Sequence, residues 1–326
     1  MLLIGEPVVW STPLRTRFRG IDVRDGVLLR GPAGWGELSP FWDYDDEESS
    51  TWLRAAHEAA FIGWPEPVRQ SVPVNVTVPA VGPERAREIV LASGGCRTAK
   101  VKVAQRGPDG TLEPVAAEAD RVAAVRDALG SDGAIRVDAN AAWTPDEALA
   151  HLFEIDRAAG GLEYVEQPCA EVDELALVRR KQDVLVAADE SIRRAADPMR
   201  VVREEAADIV VLKVQPLGGV RACLDLAEQV GLPVVVSSAL ESSVGLAAGV
   251  ALAAALPDLP YACGLATSQL LVHDVVAEPL LPFDGALPVR RPEPSPEPLA
   301  ATSPDGPTIE RWLARYHRLT RILEDA

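Results

Sequence analysis

Cysteine is scarce in this chain, and its few cysteines are widely scattered: Cys96, Cys169, Cys223 and Cys263. No CxxC pair brings two of them together, which disfavours both a zinc site and a disulfide framework. Histidine is equally scarce, with 4 residues in 326, and none follows a predicted strand at a position that suits catalysis. We therefore expect the cysteines to be buried thiols without a chemical role.

Long apolar runs and an excess of basic charge are also missing. No stretch approaches the roughly 20 apolar residues that span a bilayer, and the first residues, MLLIGEPVVW, lack the basic leader and cleavage site of a secreted protein. The net charge of -17 argues against binding nucleic acid, which needs a basic face to neutralise phosphates. We expect a cytoplasmic protein that binds neither nucleic acid nor membrane; its oligomeric state stays open, a monomer included.

What the chain does have is a regular alternation of short apolar runs with amphipathic, alanine-rich segments. The runs predict strands at 72–78, 99–103, 134–138, 162–166, 184–189, 208–213, 233–237 and 261–263. Continuous Val/Ile/Leu runs are typical of parallel strands that are buried on both faces. A doubly wound sheet is disfavoured because no GxGxxG follows the first run. The pattern predicts an α/β fold, a (β/α)7β barrel of the TIM type.

Both ends of the chain differ from this alternation. Residues 1–70 hold five of the seven tryptophans, an acidic run and strand-like pieces separated by turns. Residues 281–326 begin with a proline-rich piece and end in a segment with helical spacing. We therefore expect an α+β capping domain built from 1–70 and 281–326 around a barrel that spans 71–280.

Three carboxylates stand at the carboxyl ends of successive predicted strands, where barrel enzymes place their catalytic groups. They are Asp138, Glu166 and Asp189. Hard oxygen ligands without nearby His or Cys favour Mg²⁺, with Mn²⁺ as a substitute. Asn140 faces the same side as Asp138 and is a candidate to ligate the metal or order a water on it, although a structural turn is an equal alternative. Glu190 is a candidate acceptor beside the metal.

Lysines end two further strands. Lys100 and Lys102 alternate with Val101, so both face one side of a strand. Two buried ammonium groups lower each other's pKa, which would make one of them a usable base near neutral pH. Lys213 ends a predicted strand that comes four strands after the one with Lys102, so it should lie across the barrel mouth from Lys102. A Schiff-base aldolase using Lys213 without metal, and a catalytically silent binding barrel, remain alternatives.

Several motifs together resemble the enolase superfamily, in particular its muconate-lactonizing branch. They are KVK at 100–102, DAN at 138–140, EQP at 166–168, ADES at 188–191, LKVQPLGG at 212–219 and, in the capping region, GWGELSP at 34–40. The resemblance covers nearly the entire chain. The mandelate racemase branch is disfavoured because the late strands carry no His-Asp pair.

The resemblance implies roles for the residues at the strand ends. Mg²⁺ would be held by Asp138, Glu166 and Asp189. Lys102 would act as the general acid and base, Lys100 would modulate it, and Lys213 would lie on the opposite face of the substrate. That substrate would be a small anion whose proton next to a carboxylate is removed.

The segment VVVSSALESSVGLAAG at 234–249 is similar to members of that branch that dehydrate a succinyl-bearing hydroxycyclohexadiene carboxylate for menaquinone biosynthesis. It makes candidate substrate donors of Ser237, Ser238 and Gly264, with small turn residues as an equal alternative. A basic loop adds Arg15, Arg17 and Arg19 as candidates to close over an anionic substrate, with a plain basic loop as the alternative for each. Racemases of N-succinylamino acids and muconate cycloisomerases use the same metal and lysines, so both activities stay open. Dipeptide epimerases are weaker candidates because no DxD-like motif follows the last strand.

Overall fold

The computed structural model describes residues 3–18, 20–107 and 109–325. The strands are β1 Val8–Phe18, β2 Ile21–Gly31, β3 Gly34–Leu38, β4 Ser71–Pro73, β5 Val76–Val78, β6 Thr98–Lys102, β7 Ala134–Asp138, β8 Tyr164–Glu166, β9 Val186–Ala188, β10 Ile209–Leu212, β11 Val234–Val236 and β12 Ala286–Pro288. The helices are α1 Asp46–His57, α2 Pro83–Leu91, α3 Val115–Leu129, α4 Pro145–Ala159, α5 Val172–Lys181, α6 Glu190–Arg193, α7 Arg200–Arg203, α8 Val220–Val230, α9 Ser243–Ala255, α10 Pro296–Ala301 and α11 Gly306–Asp325. A π-helical turn, Glu58–Ile62, extends α1, and a 3-10 turn covers Ala266–Leu270.

A parallel barrel forms the larger part of the fold. Strands β5 to β11 lie side by side in chain order in one seven-stranded sheet. Two backbone bridges close this sheet into a ring: Ser237 pairs with Gly264, and Val74 pairs with Cys263. The short segment at 263–264 thus takes the eighth place in the wall. The predicted α/β barrel with a (β/α)7β order is confirmed.

The predicted first strand, 72–78, is wrong as one continuous strand. Its first part is β4, which pairs antiparallel with β12, whereas its second part is β5 in the barrel sheet. Pro73 has no N–H to donate to a ladder. The chain therefore changes partners here, and Val74 N donates to Gly285 O while Asn75 N donates to Cys263 O.

Local signals explain where the barrel helices begin and end. Helix α4 starts with a capping box, in which Thr144 Oγ1 accepts from Glu147 N and Glu147 Oε2 accepts from Thr144 N. It ends at Gly160, whose φ of 66° suits glycine in the left-handed region. Helix α9 contains no charged residue, and all of its residues except Ala255 are buried between barrel and cap.

The capping region is built from both ends of the chain. Strands β1, β2 and β3 form an antiparallel sheet, and α1 and α11 pack against each other beside it. Trp52 and Trp312 are fully buried in the core that they share. Burying large apolar side chains of this kind stabilises a fold by several kcal/mol each. The buried Arg315 of α11 donates to backbone carbonyls at 40, 41 and 44 and so ties the last helix to the loop before α1.

All four cysteines are buried and free of disulfides in the described residues, as expected. Across those same ranges, the helices are too short or too polar to cross a membrane.

Candidate active site

The three carboxylates lie together at the carboxyl ends of neighbouring strands. In the register of the sheet, Lys102 of β6 stands beside Asp138 of β7, which stands beside Glu166 of β8. Asp189 follows β9, the next strand. The three carboxylates are 0–1% exposed. Leaving such charges buried is costly unless each is paired, so their partners decide what this site can do.

Each carboxylate faces a lysine. Lys100 Nζ donates to the two carboxylate oxygens of Glu166 at 3.0 and 2.9 Å. Lys102 Nζ donates to Asp138 Oδ2 and, at 2.7 Å, to Asn140 Oδ1. A third pair lies on the opposite side of the barrel mouth from Lys102, where Lys213 Nζ donates to Asp189 Oδ2 at 2.5 Å.

The expectation that two adjacent lysines depress each other's pKa is wrong for Lys100. Burial works to lower its pKa, but the charges of Glu166 and Asp138 outweigh it and raise the pKa above the ordinary value. At Lys213 the balance is reversed: burial lowers the pKa, and Asp189 offsets this in part. Carboxylates thus decide the shift at Lys100, whereas burial decides it at Lys213.

Asn140 takes the structural-turn role that was one of its two predicted alternatives, and its metal role stays a prediction. Its φ of 47° puts it in the left-handed region that asparagine tolerates, and its N–H donates to Asp138 Oδ1 at 3.0 Å, as in a tight turn. Its side-chain oxygen nevertheless faces the Lys102 ammonium. Glu190 lies nearby, with Oε1 at 3.4 Å from Asn140 Nδ2.

An arginine completes the far side of the site. Arg193 Nε donates to Asp189 Oδ1 at 2.9 Å, and Arg193 Nη2 donates to Glu190 Oε1 at 2.6 Å. Arg193 also contacts the hydroxyl of Tyr44, which belongs to the capping region. The sequence reasoning missed this residue, although its i+4 spacing from Asp189 on a helical turn was a usable signal.

The lysines and serines line one small cavity of about 20 Å³ under the capping region. Its walls include Phe18, Thr77, Lys100, Lys102, Asp138, Asn140, Lys213, Ser237, Ser238, Leu240, Gly264 and Thr267. Ser238 Oγ and Thr267 Oγ1 lie 2.6 Å apart. A Cβ at Gly264 would lie 2.6 Å from Ser237 Oγ, so a side chain there would collide with the wall. Thr77 and Thr267 were not anticipated.

The basic loop contributes unevenly. Arg17 lines the outer opening of the site and donates to Gly20 O at 3.1 Å. Arg15 instead donates to Val272 O, while Arg19 lies outside the described residues. Arg106, which the sequence reasoning did not consider, lines the same opening as Arg17.

Lysine usage was a further signal that the sequence reasoning did not exploit. The chain has four lysines, and all its other basic side chains apart from histidine are arginines. Three of the four lysines, at 100, 102 and 213, line the cavity. Because burial can bring the pKa of a lysine toward neutral whereas that of arginine stays high, the gathering of lysines in one cavity was a usable sequence signal for the site.

Two family models match the two parts of the fold. The model described as "Enolase N-terminal domain-like" matches residues 9–60, and "Enolase C-terminal domain-like" matches residues 83–295. The chain therefore belongs to the enolase superfamily.

Sequence relatives narrow this class. The chain is 62% identical to the o-succinylbenzoate synthase of Thermobifida fusca, over 94% of this chain and 93% of that protein. It is 50% identical to the o-succinylbenzoate synthase of Mycolicibacterium smegmatis, over 94% of this chain and 92% of that protein. At these identities and coverages, the family within the superfamily is that of the o-succinylbenzoate synthases.

Solved structures support the fold. The muconate lactonizing enzyme of Pseudomonas fluorescens aligns with a TM-score of 0.77 at 22% identity, over 92% of this chain and 98% of that one. The L-Ala-D/L-Glu epimerase of Bacillus subtilis aligns with a TM-score of 0.75 at 22% identity, over 90% of this chain and 98% of that one. Identities this low speak for a shared architecture alone.

Proposed function

We propose that the chain is an o-succinylbenzoate synthase, a hydro-lyase that removes water from 2-succinyl-6-hydroxy-2,4-cyclohexadiene-1-carboxylate in menaquinone biosynthesis. The observation that carries the specific reaction is the 62% identity to an o-succinylbenzoate synthase over 94% of the chain. The pair of buried lysines, Lys102 and Lys213, on opposite walls of one cavity supports the proton transfer that this reaction shares with its superfamily. The proposal includes a cytoplasmic location and a substrate that is a small anionic molecule.

Lys102 is the proposed base and acid. Its Nζ would take the proton from the ring carbon that bears the carboxylate, and the electron pair of that C–H bond would form an enediolate. The ring C–O bond then breaks, and Lys102 returns the proton to the departing hydroxyl on the same face, so that water leaves. General acid–base catalysis of this kind contributes about 10²–10⁴-fold in rate.

Lys213 and Lys100 have supporting roles in this proposal. The Lys213 ammonium would face the opposite side of the ring and stabilise the negative charge of the enediolate. Lys100, held by Glu166 at 2.9–3.0 Å, would fix the charge balance beside Lys102.

The donor set fits Mg²⁺. In the described residues no three His, Cys, Asp or Glu side chains are gathered as a metal cluster, because each carboxylate is turned toward its lysine. Asp138, Glu166 and Asp189 nevertheless supply hard oxygens from adjacent strands. In the described chain, Glu190 Oε2 is buried without a hydrogen-bond partner. It is a further acceptor next to Asp189. When bound, the cation would offset the second negative charge of an enediolate.

The other end of the cavity would receive the succinyl tail. The hydroxyls of Ser237 and Ser238 and the backbone near Gly264 lie on this wall and carry no charge. Arg17 lines the outer opening, where it would attract an anion. Arg19 remains a candidate of the same kind.

A steady-state assay with the cyclohexadiene substrate tests the function. We expect turnover that EDTA abolishes and added Mg²⁺ restores, with Mn²⁺ as a substitute. Lys102→Ala should lose about 10²–10⁴-fold in kcat, whereas Lys181→Ala, which alters an exposed lysine on α5, should match the parent. A parent protein without turnover, or an unimpaired Lys102→Ala, would refute the proposal.

Racemisation of N-succinylamino acids is a second candidate, because two opposed lysines can exchange protons on both faces of a carbon. It requires both amines to gain and lose protons, whereas dehydration needs Lys102 alone. In Lys213→Arg, racemisation should stop, whereas Lys102 should still exchange the proton on its own face for solvent deuterium without inversion, and residual dehydration should persist. Muconate cycloisomerisation is tested with its own substrate. A Schiff base at Lys213 would be revealed by borohydride trapping.

A further inference from the structure

The loop that connects β11 to α9, residues 237–242, forms a wall of the cavity but has an unusual backbone. Leu240 is 1% exposed and has a φ of 65°. A bulky side chain in the left-handed region costs on the order of 1–3 kcal/mol and persists where the surroundings enforce it. Within the loop, Leu240 N donates to Ser238 Oγ at 3.3 Å, which links the strained residue to the wall serine.

Arg24, on β2 of the capping region, holds the carbonyl side of this loop. Its Nε donates to Leu240 O at 3.0 Å, and its Nη2 donates to Ala239 O at 3.2 Å. Nη2 also contacts Ser39 O, and the guanidinium carbon lies 4.4 Å from the centre of the Phe41 ring. Arg24 is 1% exposed, so its position is fixed by these contacts.

Glu37, on β3 of the capping region, holds the amide side of the loop. Its carboxylate accepts from Ser242 N at 3.3 Å, from the Ser242 hydroxyl, and from Gly245 N at 3.1 Å. These are donors of the first turn of α9, where a carboxylate is favourable. A Cβ at Gly245 would lie 2.8 Å from Glu37 Cδ, so the close approach requires glycine.

We propose that Arg24 and Glu37 are positioning residues through which the capping region shapes the wall that meets the anionic tail of the substrate. Arg24 binds carbonyls of the loop, and Glu37 binds donors at the end of the loop and in the first turn of α9. Neither residue lines the cavity itself. The inference rests on the proposed function, because it assigns the tail to this wall.

Kinetics of Arg24→Lys test the role. Lysine keeps the charge but is a point donor, so it cannot replace the fork that reaches Leu240, Ala239 and Ser39 together. We expect KM to rise about tenfold, equivalent to roughly 1.4 kcal/mol, with kcat within about threefold. Arg126→Lys is the matched control: Arg126 also donates to three backbone carbonyls, at 130, 133 and 159, but before β7 and away from the cavity. Its KM should not change.

Hydrogen exchange of the segment 237–246 supplies a readout that does not depend on turnover. We expect faster exchange there in Arg24→Lys and in Glu37→Gln, and parental exchange in Arg126→Lys. Parental KM and parental exchange in both cap variants would overturn the proposal, as would losses of kcat and thermal stability at constant KM. If the parent protein shows no turnover, the proposed function fails, and exchange of this segment then decides the positioning role.

Discussion

Because the carboxyl group of Glu37 is buried, we predict that it makes the free energy of unfolding depend on pH. Burial raises its pKa from 4.5 to about 7, hydrogen bonds from Ser242 and Ser39 oppose this in part, and the nearby Glu241 adds to the rise. Between these two pKa values the folded protein binds more protons than the unfolded chain. The contribution of Glu37 to stability therefore falls as pH rises from about 4.5 to about 7 and is constant beyond, because protonation of this carboxyl favours the folded state.

The magnitude follows from the shift. At 1.36 kcal/mol per pKa unit, a rise of this size corresponds to about 3 kcal/mol. Glu37→Gln removes the titration, so the parent should lose about 3 kcal/mol relative to the variant between about pH 4.5 and about pH 7. The variant is less stable in absolute terms because the amide nitrogen of the glutamine is itself a donor. It would face the donors of Ser242 or Gly245 and could not form a hydrogen bond with them.

Urea unfolding followed by tryptophan fluorescence measures this, with the free energy of unfolding of both proteins determined from about pH 5 to about pH 8. The quantity of interest is the difference between the two proteins, since titrating groups that do not interact with Glu37 cancel in it. A difference that stays constant across the range would show that Glu37 is ionised with an ordinary pKa, and would refute the reasoning.

Three further changes test the packing. Arg121→Met removes a buried guanidinium that donates to Lys102 O at 2.9 Å and pairs with Glu113; it should cost about 3–5 kcal/mol in urea unfolding, and a loss below about 1 kcal/mol would contradict this. Trp312→Ala should cost about 3–5 kcal/mol in the capping core, with an unchanged melting temperature as the opposing result. Thr144→Ala should cost about 1 kcal/mol through its helix cap, and an equal stability would deny the cap a role.

The barrel was predictable because its signal is local. Runs such as AIRVD and DIVVLK are buried on both faces, so hydrophobicity alone marks them, and a polar residue marks the strand end. Position in the fold then follows from chain order, since consecutive parallel strands are neighbours. Asp138, Glu166 and Lys213 could be assigned to one rim for that reason.

Other features depend on contacts between segments far apart in the chain. The switch of partners after Pro73 requires β12, which comes more than two hundred residues later. The raised pKa of Lys100 depends on how closely Glu166 and Asp138 approach it, and a strand pattern carries no such distance. Arg24 lies among polar residues of β2 and so has the sequence pattern of an exposed residue. In the fold, the loop after β11 covers it and buries its side chain.

The narrow segment at 263–264 has a consequence for motion. Every other place in the ring is held by a ladder of at least two residues, whereas here single bridges join each neighbour. We expect spontaneous opening of the wall to begin at this joint, since fewer hydrogen bonds must break there. The segment at 263–264 adjoins the serines of the cavity. Transient opening of the barrel wall there would therefore admit water to the cavity through the wall, independently of the outer opening that Arg17 lines.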